Sequence, residues 1–155
     1  MAVYLKSQKI LSKWVDYNNH LNMAYYILIF DEAWEVMLEK IKMGAHSAKT
    51  EKKSTMVVET HTQYINEVNE NDEVDIVLTF FDHDTKRLHL KLEMIEKKSK
   101  KLSASMEWIS LYIDLNIRKV TEFESNKIEI MNEFIDKNKI NFNNNDLKFS
   151  SILKK

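Results

Sequence analysis

The chain has 155 residues, of which 44% are hydrophobic and 30% are charged, enough for one folded domain with a real core and too little for two. Its formal net charge of −1 excludes a global positive field that would attract nucleic acid or anionic lipid. The absence of cysteine excludes disulfides, thiolate metal ligands and cysteine nucleophiles.

The first ten residues alternate between polar and apolar side chains and lack the apolar core of a signal peptide. No stretch approaches the ~18 consecutive apolar residues that a membrane-spanning helix requires. We therefore expect a soluble cytoplasmic protein with no membrane partner and no nucleic-acid partner.

The first half of the chain predicts a strand, a loop and a long helix. Residues 3–15 read as an opening strand, and a polar loop covers residues 16–22. Apolar residues then recur at three- and four-residue spacing, which predicts a helix: Met23, Ile27, Phe30, Trp34, Met37, Leu38 and Ile41. Asn22 is a suitable N-cap, and Gly44 stands where a C-terminal stop is expected. Because the opposite side of this helix is also apolar, we expect it to be buried.

The second half of the chain changes to a period of two after a polar connection over residues 45–54. Strands are predicted over residues 56–65, 74–80, 88–94 and 102–115, with turns at 69–72 and 82–84 and a lysine-rich loop at 97–101. A second helix is predicted over residues 125–138. We expect one domain over residues 1–140 and a loosely ordered tail over residues 141–155.

This order of elements indicates an α+β protein. A sheet covers a helix that is buried on more than one side only if the sheet curves around it. The order alone also fits other α+β folds.

Residues 14–26, Trp-Val-Asp-Tyr-Asn-Asn-His-Leu-Asn-Met-Ala-Tyr-Tyr, carry a resemblance to known proteins. They resemble the signature of the 4-hydroxybenzoyl-CoA thioesterase-like hotdog families, in which an aspartate and a short polar loop precede the helix. The loop is most similar to that of the betainyl-CoA thioesterases of carnitine breakdown. Further matches lie at residues 30–33, 57–61 and 86–90, so the likeness covers roughly residues 4–138.

Two asparagines depart from the family pattern. Asn19 and Asn71 stand where these families have glycines. Asparagine is among the residues that best tolerate a positive φ, so we expect both turns to be kept.

The resemblance implies a hotdog fold, a curved antiparallel sheet wrapped around a long central helix, with an additional C-terminal helix. It also implies an acyl-CoA thioesterase that needs no cofactor, the CoA thioester being the substrate. Asp16 is then the catalytic carboxylate, acting as nucleophile or as general base on water. The families usually form homodimers or homotetramers with the site at a subunit interface.

The residues around Asp16 suit this chemistry. Unpaired backbone N–H groups near Met23 to Tyr25 at a helix N-terminus would polarise a thioester carbonyl. Asn18, His20 and Asn22 follow Asp16 at every second position, which in an extended loop places them on one side. There they are candidate catalytic residues that could orient water, hold the carboxylate or bind substrate. The alternative to a catalytic role is that these polar residues only form a solvated turn and cap the helix.

Substrate contacts are predicted from residue type. A quaternary ammonium group is bound by aromatic faces, and the candidates are Trp14, Tyr17, Tyr25, Tyr64 and Trp108, with Met23 beside them. Glu59 and His61 share one face of a strand and point either into a pocket or to solvent. Phosphates of CoA require cations, for which Lys86, Arg87 and Lys91 are candidates. Alternatively, the aromatic residues belong to the hydrophobic core and the basic residues only add charge to the surface. No spacing of His, Asp and Glu predicts a metal site.

The sequence is compatible with three functions. The first is hydrolysis of a short acyl-CoA, with betainyl-CoA as the sharpest candidate. The second is hydrolysis of a fatty or aromatic acyl-CoA, which an apolar tunnel would favour. The third is a hotdog protein that binds acyl-CoA without turnover, against which the presence of Asp16 argues.

Overall fold

The computed structural model describes residues 2–155 and contains one antiparallel sheet. The elements are β1 (Val3–Lys9), α1 (Met23–Lys40), α2 (Ala45–Glu51), β2 (Lys53–Tyr64), β3 (Glu73–His83), β4 (Arg87–Glu96), β5 (Leu102–Asp114), β6 (Lys119–Val120) and α3 (Ser125–Asn138). The strand order is β1-β3-β4-β5-β2, and the short β6 pairs with β5. Edge strands are therefore β1 and β2.

The sheet curls around α1, which confirms the expected α+β hotdog fold. Seven residues of α1 are buried, namely Tyr26, Ile29, Phe30, Ala33, Trp34, Met37 and Leu38. Alternate residues of β4, such as Leu90 and Leu92, meet α1 in one core. We call this side of the sheet the inner face. The intervening residues, such as His89 of β4 and Glu107 of β5, lie on the outer face.

Three local predictions were wrong. β1 ends at Lys9, and residues 12–14 form a 3-10 turn instead of continuing the strand. Residues 45–51 form α2 instead of a plain connection. The left-handed position after α1 is Lys42, with φ of 55°, whereas Gly44 has φ of −81° and caps the start of α2.

The asparagine turns were predicted correctly. Asn19 has φ of 66° and Asn71 has φ of 71°, so both occupy the left-handed region that glycine usually fills. The lysine-rich and asparagine-rich chain thus makes its tight turns without glycine. The predicted α3 also matches the observed helix at both ends.

The C-terminal tail is docked, contrary to the expected loose order. After α3 the chain reaches the outer face, where the Asn143 N–H donates to Thr79 O at 2.8 Å. The backbone N–H groups of Lys148 and Phe149 then donate to the Glu107 carboxylate at 2.8 and 2.9 Å. Burial alone would raise the pKa of Glu107, but these donors and the neighbouring His89 lower it. Glu107 therefore anchors the tail as a carboxylate.

Within residues 2–155, no helix is both long enough and apolar enough to cross a membrane.

Candidate active site

The loop before α1 is a closed turn. An antiparallel bridge joins Val15 to Leu21, and the Asn19 N–H donates to Asp16 O at 2.9 Å. The Asp16 N–H donates in turn to His20 O at 3.3 Å. The premise of an extended loop was therefore wrong, and the side chains of residues 18, 20 and 22 do not simply line one side.

The Asp16 carboxylate accepts hydrogen bonds from two residues that follow it in the loop. Its Oδ1 accepts the Asn18 backbone N–H at 2.9 Å, and its Oδ2 accepts the Asn22 side-chain amide at 3.2 Å. The Asn22 Oδ1 accepts the Ala24 N–H at 3.1 Å, which makes Asn22 the N-cap of α1. Asn22 thus connects the half-buried carboxylate directly to the start of the helix.

The N-terminus of α1 retains one of the three predicted oxyanion donors. The Ala24 N–H is taken by the Asn22 cap, and the Tyr25 N–H donates to Asn22 O at 3.0 Å. In the part of the chain that the structure describes, the Met23 N–H has no acceptor. It is the group at this helix end that can polarise a carbonyl oxygen.

A cleft of about 230 Å³ opens beside this loop, between the start of α1 and the end of β2. It is lined by His20, Leu21, Met23, Tyr26, Tyr64, Ile65, Asn66 and Glu67. The rings of Tyr26 and Tyr64 lie 5.1 Å apart at an interplanar angle of 80°. We call this space the His20 cleft.

Tyr26 and Glu67 were missed by the sequence analysis. Burial raises the pKa of the Tyr26 phenol, and the negative charge of Glu67 adds to this effect against an opposing backbone hydrogen bond at Val68. Tyr26 reads in sequence as one more apolar helix position, and Glu67 as one more loop charge. No pattern in the sequence shows that they share a cleft.

The five aromatic residues predicted to bind a quaternary ammonium group do not form one site. Trp14 stacks on Tyr25, with ring centroids 5.8 Å apart and an interplanar angle of 21°. Tyr17 is 97% exposed. Trp108 packs against Trp34 on the inner face, and only Tyr64 joins Met23 in the His20 cleft. Substrate roles for Trp14, Tyr17, Tyr25 and Trp108 stay predictions.

Glu59 and His61 do share a face of β2, and it is the outer face. Their partners on β5 are Ile109 and Glu107, whereas Thr60 pairs with Trp108 of the inner face. Both side chains therefore lie on the far side of the sheet from α1, and their substrate role stays a prediction.

The predicted CoA cations lie away from Asp16 within one chain. Lys86 and Arg87 stand at the β3–β4 hairpin, while the Asp16 loop follows β1 at the other end of β3. The eleven residues of β3 separate the two ends by roughly 34 Å. The Arg87 guanidinium is also paired with Asp84 at 2.8 Å. Lys91 projects from the outer face of β4 opposite Glu107.

A second, more apolar groove of about 450 Å³ lies between α1, β2 and β5. It is lined by Ile27, Leu28, Asp31, Trp34, Val57, Thr60, Met106 and Trp108. Asp31 is eight residues beyond Met23, which places it about 12 Å along the helix from the N-terminus. The groove shares no lining residue with the His20 cleft, and the two spaces adjoin on α1 at Ile27 and Tyr26.

Comparison with known proteins identifies the family to which the chain belongs. Residues 10–137 match the family model of the thioesterase-like superfamily. The chain is 30% identical over 115 residues to a betainyl-CoA thioesterase of Pseudomonas aeruginosa, covering 74% of this chain and 72% of that protein. It is 28% identical over 111 residues to the L-carnitine dehydrogenase/betainyl-CoA thioesterase of Rhizobium meliloti, covering 71% of this chain and 22% of that protein.

Solved structures agree on the fold. A Staphylococcus aureus protein solved in complex with CoA superposes with a TM-score of 0.82 at 20% identity, covering 100% of this chain and 95% of that one. A putative thioesterase from Pseudomonas putida KT2440 gives a TM-score of 0.77 at 26% identity, covering 89% and 88%. The first likeness bears on the fold alone.

Proposed function

The chain belongs to the thioesterase-like superfamily and is a thioester hydrolase, and from this premise we propose that its substrate is a short acyl-CoA, namely betainyl-CoA. The observation that carries the proposal is the His20 cleft, in which the rings of Tyr26 and Tyr64 and the carboxylate of Glu67 lie next to the Asp16 loop. In this proposal the reaction is cytoplasmic and belongs to carnitine breakdown. The fusion of such a domain to L-carnitine dehydrogenase in the Rhizobium meliloti relative supports that place.

The proposed chemistry uses the two ends of the catalytic loop. The thioester carbonyl oxygen accepts the Met23 N–H, whose dipole stabilises the negative charge that develops there. The Asp16 carboxylate either attacks the carbonyl carbon, releasing the CoA thiolate and giving a mixed anhydride that water then hydrolyses, or takes a proton from a water molecule that attacks the carbonyl carbon and displaces the thiolate. In both routes Asn18 and Asn22 hold the carboxylate at the helix N-terminus.

The His20 cleft suits a small cationic acyl group. A trimethylammonium group is attracted to aromatic faces, and the perpendicular rings of Tyr26 and Tyr64 present a face and an edge in one small space. The Glu67 carboxylate supplies a negative charge in the same lining. A volume of about 230 Å³ favours a short acyl group over a long chain.

We expect a positive charge on the acyl group to raise kcat/KM. Betainyl-CoA and 3,3-dimethylbutyryl-CoA have the same shape, but only betainyl-CoA is cationic. Cation–π contacts contribute about 0.5–2 kcal/mol, so kcat/KM for betainyl-CoA should exceed that for the neutral ester by roughly 2- to 30-fold. Release of free thiol measures both reactions.

Tyr64→Leu should remove most of this preference, while Tyr4→Leu serves as a matched control because Tyr4 is an exposed residue of β1. Equal rates for the two esters in the wild-type protein would exclude the betaine proposal.

A longer or aromatic acyl group is the second candidate, because the apolar groove beside Trp34 and Trp108 offers about 450 Å³. Octanoyl-CoA and benzoyl-CoA belong in the same substrate panel. A preference for either would replace betainyl-CoA as the substrate. Tight binding of CoA esters without thiol release would favour a non-catalytic acyl-CoA protein.

We also propose that the protein forms a homodimer through β2. β2 is an edge strand whose residues are exposed or half-buried along its whole length. Its apolar side chains include Val57 at 44% and Val58 at 55% exposure. Apolar edge strands are unusual in isolated subunits, because they expose unpaired backbone groups together with a hydrophobic surface.

Val58→Lys is expected to convert a dimer to a monomer, because it places a charge in the centre of the proposed interface. Sedimentation velocity at micromolar concentration measures the change. Ile117→Lys is the matched control, since Ile117 is 62% exposed in the loop after β5. A wild-type monomer under assay conditions would exclude the dimer.

A further inference from the structure

The β4–β5 hairpin concentrates positive charge. Residues 97–101 read Lys-Lys-Ser-Lys-Lys, which is four lysines in five positions. Beside them lies a cleft of about 540 Å³, lined by Asn66, Glu67, Asn69, Asp72, Glu96, Lys98, Ser99, Lys101 and Ser103. We call this space the hairpin cleft. No step of the proposed reaction uses this space.

The hairpin cleft adjoins the His20 cleft. Asn66 and Glu67 line both spaces and form their common wall. On one side the Leu21 N–H donates to Val68 O at 2.7 Å, which connects this wall to the catalytic loop. On the other side the Asn66 side-chain amide donates to Leu102 O at 2.8 Å, which connects it to the hairpin. The lysines therefore stand at the same end of the sheet as Asp16.

The lysines of the hairpin are available to an anionic ligand. Lys97 lies 3.8 Å from Glu73, but no carboxylate lies within 4.0 Å of the ammonium groups of Lys98, Lys100 or Lys101 in residues 2–155. Three carboxylates, those of Glu67, Asp72 and Glu96, also line the hairpin cleft, and two of them are bound to backbone N–H groups instead of lysines. Glu96 accepts the Lys98 and Ser99 N–H groups at 3.1 and 2.6 Å, and Asp72 accepts the Asn69 N–H at 2.9 Å.

We infer, on the basis of the proposed thioesterase function, that the hairpin cleft binds the phosphates of the CoA nucleotide. Lys98 and Lys101 line the cleft, and Lys100 lies between them in the same turn and adds its charge at the rim. The acyl end enters the His20 cleft, and the pantetheine arm crosses the wall formed by Asn66 and Glu67. The 3′-phosphate and the diphosphate reach the lysines, whose ammonium groups act as point charges on flexible stems.

The other cationic candidates serve this role less well within one chain. Lys86 and Arg87 lie at the far end of β3, roughly 34 Å from the turn that precedes it. Arg87 is bound to Asp84, which reduces its capacity for a phosphate.

The test compares two triple variants that each remove three positive charges. The first is Lys98→Gln, Lys100→Gln and Lys101→Gln in the hairpin. The second, the matched control, is Lys86→Gln, Lys91→Gln and Lys119→Gln. Isothermal titration with free CoA measures binding without any turnover, and thiol release measures KM and kcat for the acyl-CoA and for the same acyl group on pantetheine.

The hairpin variant is expected to raise the Kd for CoA and the KM for the acyl-CoA by tenfold or more, with kcat within twofold of the wild-type value. Its KM for the acyl-pantetheine, which lacks the nucleotide, should be unchanged. The control variant should bind CoA as the wild-type protein does. The wild-type Kd should also rise with salt.

The inference is overturned if the hairpin variant binds CoA normally, if the control variant weakens binding equally, or if the acyl-pantetheine KM rises as well. A wild-type protein that binds CoA but hydrolyses no thioester would contradict the proposed function alone, and the CoA titrations would still decide the phosphate site.

Discussion

Asp16→Asn is expected to lower kcat for thioester hydrolysis by about 10²- to 10⁴-fold, because an amide neither attacks the carbonyl nor accepts a proton from water. Asparagine has the shape of aspartate and can still accept the Asn18 N–H, so the turn before α1 should be retained. Far-UV circular dichroism and thermal unfolding should therefore match the wild-type protein. Thiol release from the preferred acyl-CoA measures the loss.

Two neighbouring substitutions separate catalysis from turn formation. Asn18→Ala should keep most activity, since Asn18 holds Asp16 through its backbone N–H. Asn22→Ala removes both the helix cap and one hydrogen bond to Asp16, so it should lower kcat and cost about 1 kcal/mol of stability. If Asp16→Asn keeps wild-type turnover, the carboxylate has only a structural role in this turn.

Asp84→Asn is expected to lower the free energy of unfolding at pH 7 by about 2 kcal/mol. Burial alone would raise the pKa of Asp84, but N–H groups of Lys154, Lys86 and Arg87 and the Arg87 guanidinium lower it to about 2. The carboxylate thereby holds the β3–β4 hairpin and the end of the tail together. An amide cannot form the ion pair and presents one acceptor oxygen in place of two.

The pH dependence of this effect follows from the sign of the shift. The folded-state pKa of Asp84 lies below its ordinary value of 3.8, so the stabilisation is fully present above about pH 4. It is lost as the pH falls toward the folded-state value. Urea unfolding should therefore show a stability difference between wild type and Asp84→Asn that is largest at pH 7 and shrinks toward pH 2.

Asp136→Asn is the matched control for this experiment, because Asp136 is exposed on α3 and should show little difference at either pH. A difference for Asp84→Asn that is equal at pH 7 and pH 2 would mean that the ion pair and the charged hydrogen bonds do not stabilise the fold.

The sequence by itself determined the elements whose signals are local. The three- and four-residue apolar spacing located α1 and α3 to within a residue or two, since burying one side of a helix imposes that period. The turns at Asn19 and Asn71 were predictable because both stand where the resembled families have glycine, and asparagine tolerates a positive φ better than most residues. The resemblance of residues 14–26 identified Asp16 and the family.

Only the tertiary structure decided which residues share a space. Tyr26 of α1, Tyr64 of β2 and Glu67 of the following loop meet because β2 pairs with β5 and its end lies over the start of α1. The same pairing places Glu59 and His61 on the outer face. Packing against α1 gives the tryptophans different partners, Trp34 for Trp108 and Tyr25 for Trp14. Strand alternation shows that two residues share a face, but not which face meets the helix.

The position of the cations was decided in the same way. Lysines 86 and 91 and the hairpin lysines look alike in sequence, as solubilising charges beside turns. Antiparallel pairing of β3, β4 and β5 places one hairpin beside the Asp16 loop and the other at the far end of the sheet. Contacts between residues distant in sequence arise from strand pairing and helix packing, which local periodicity does not encode.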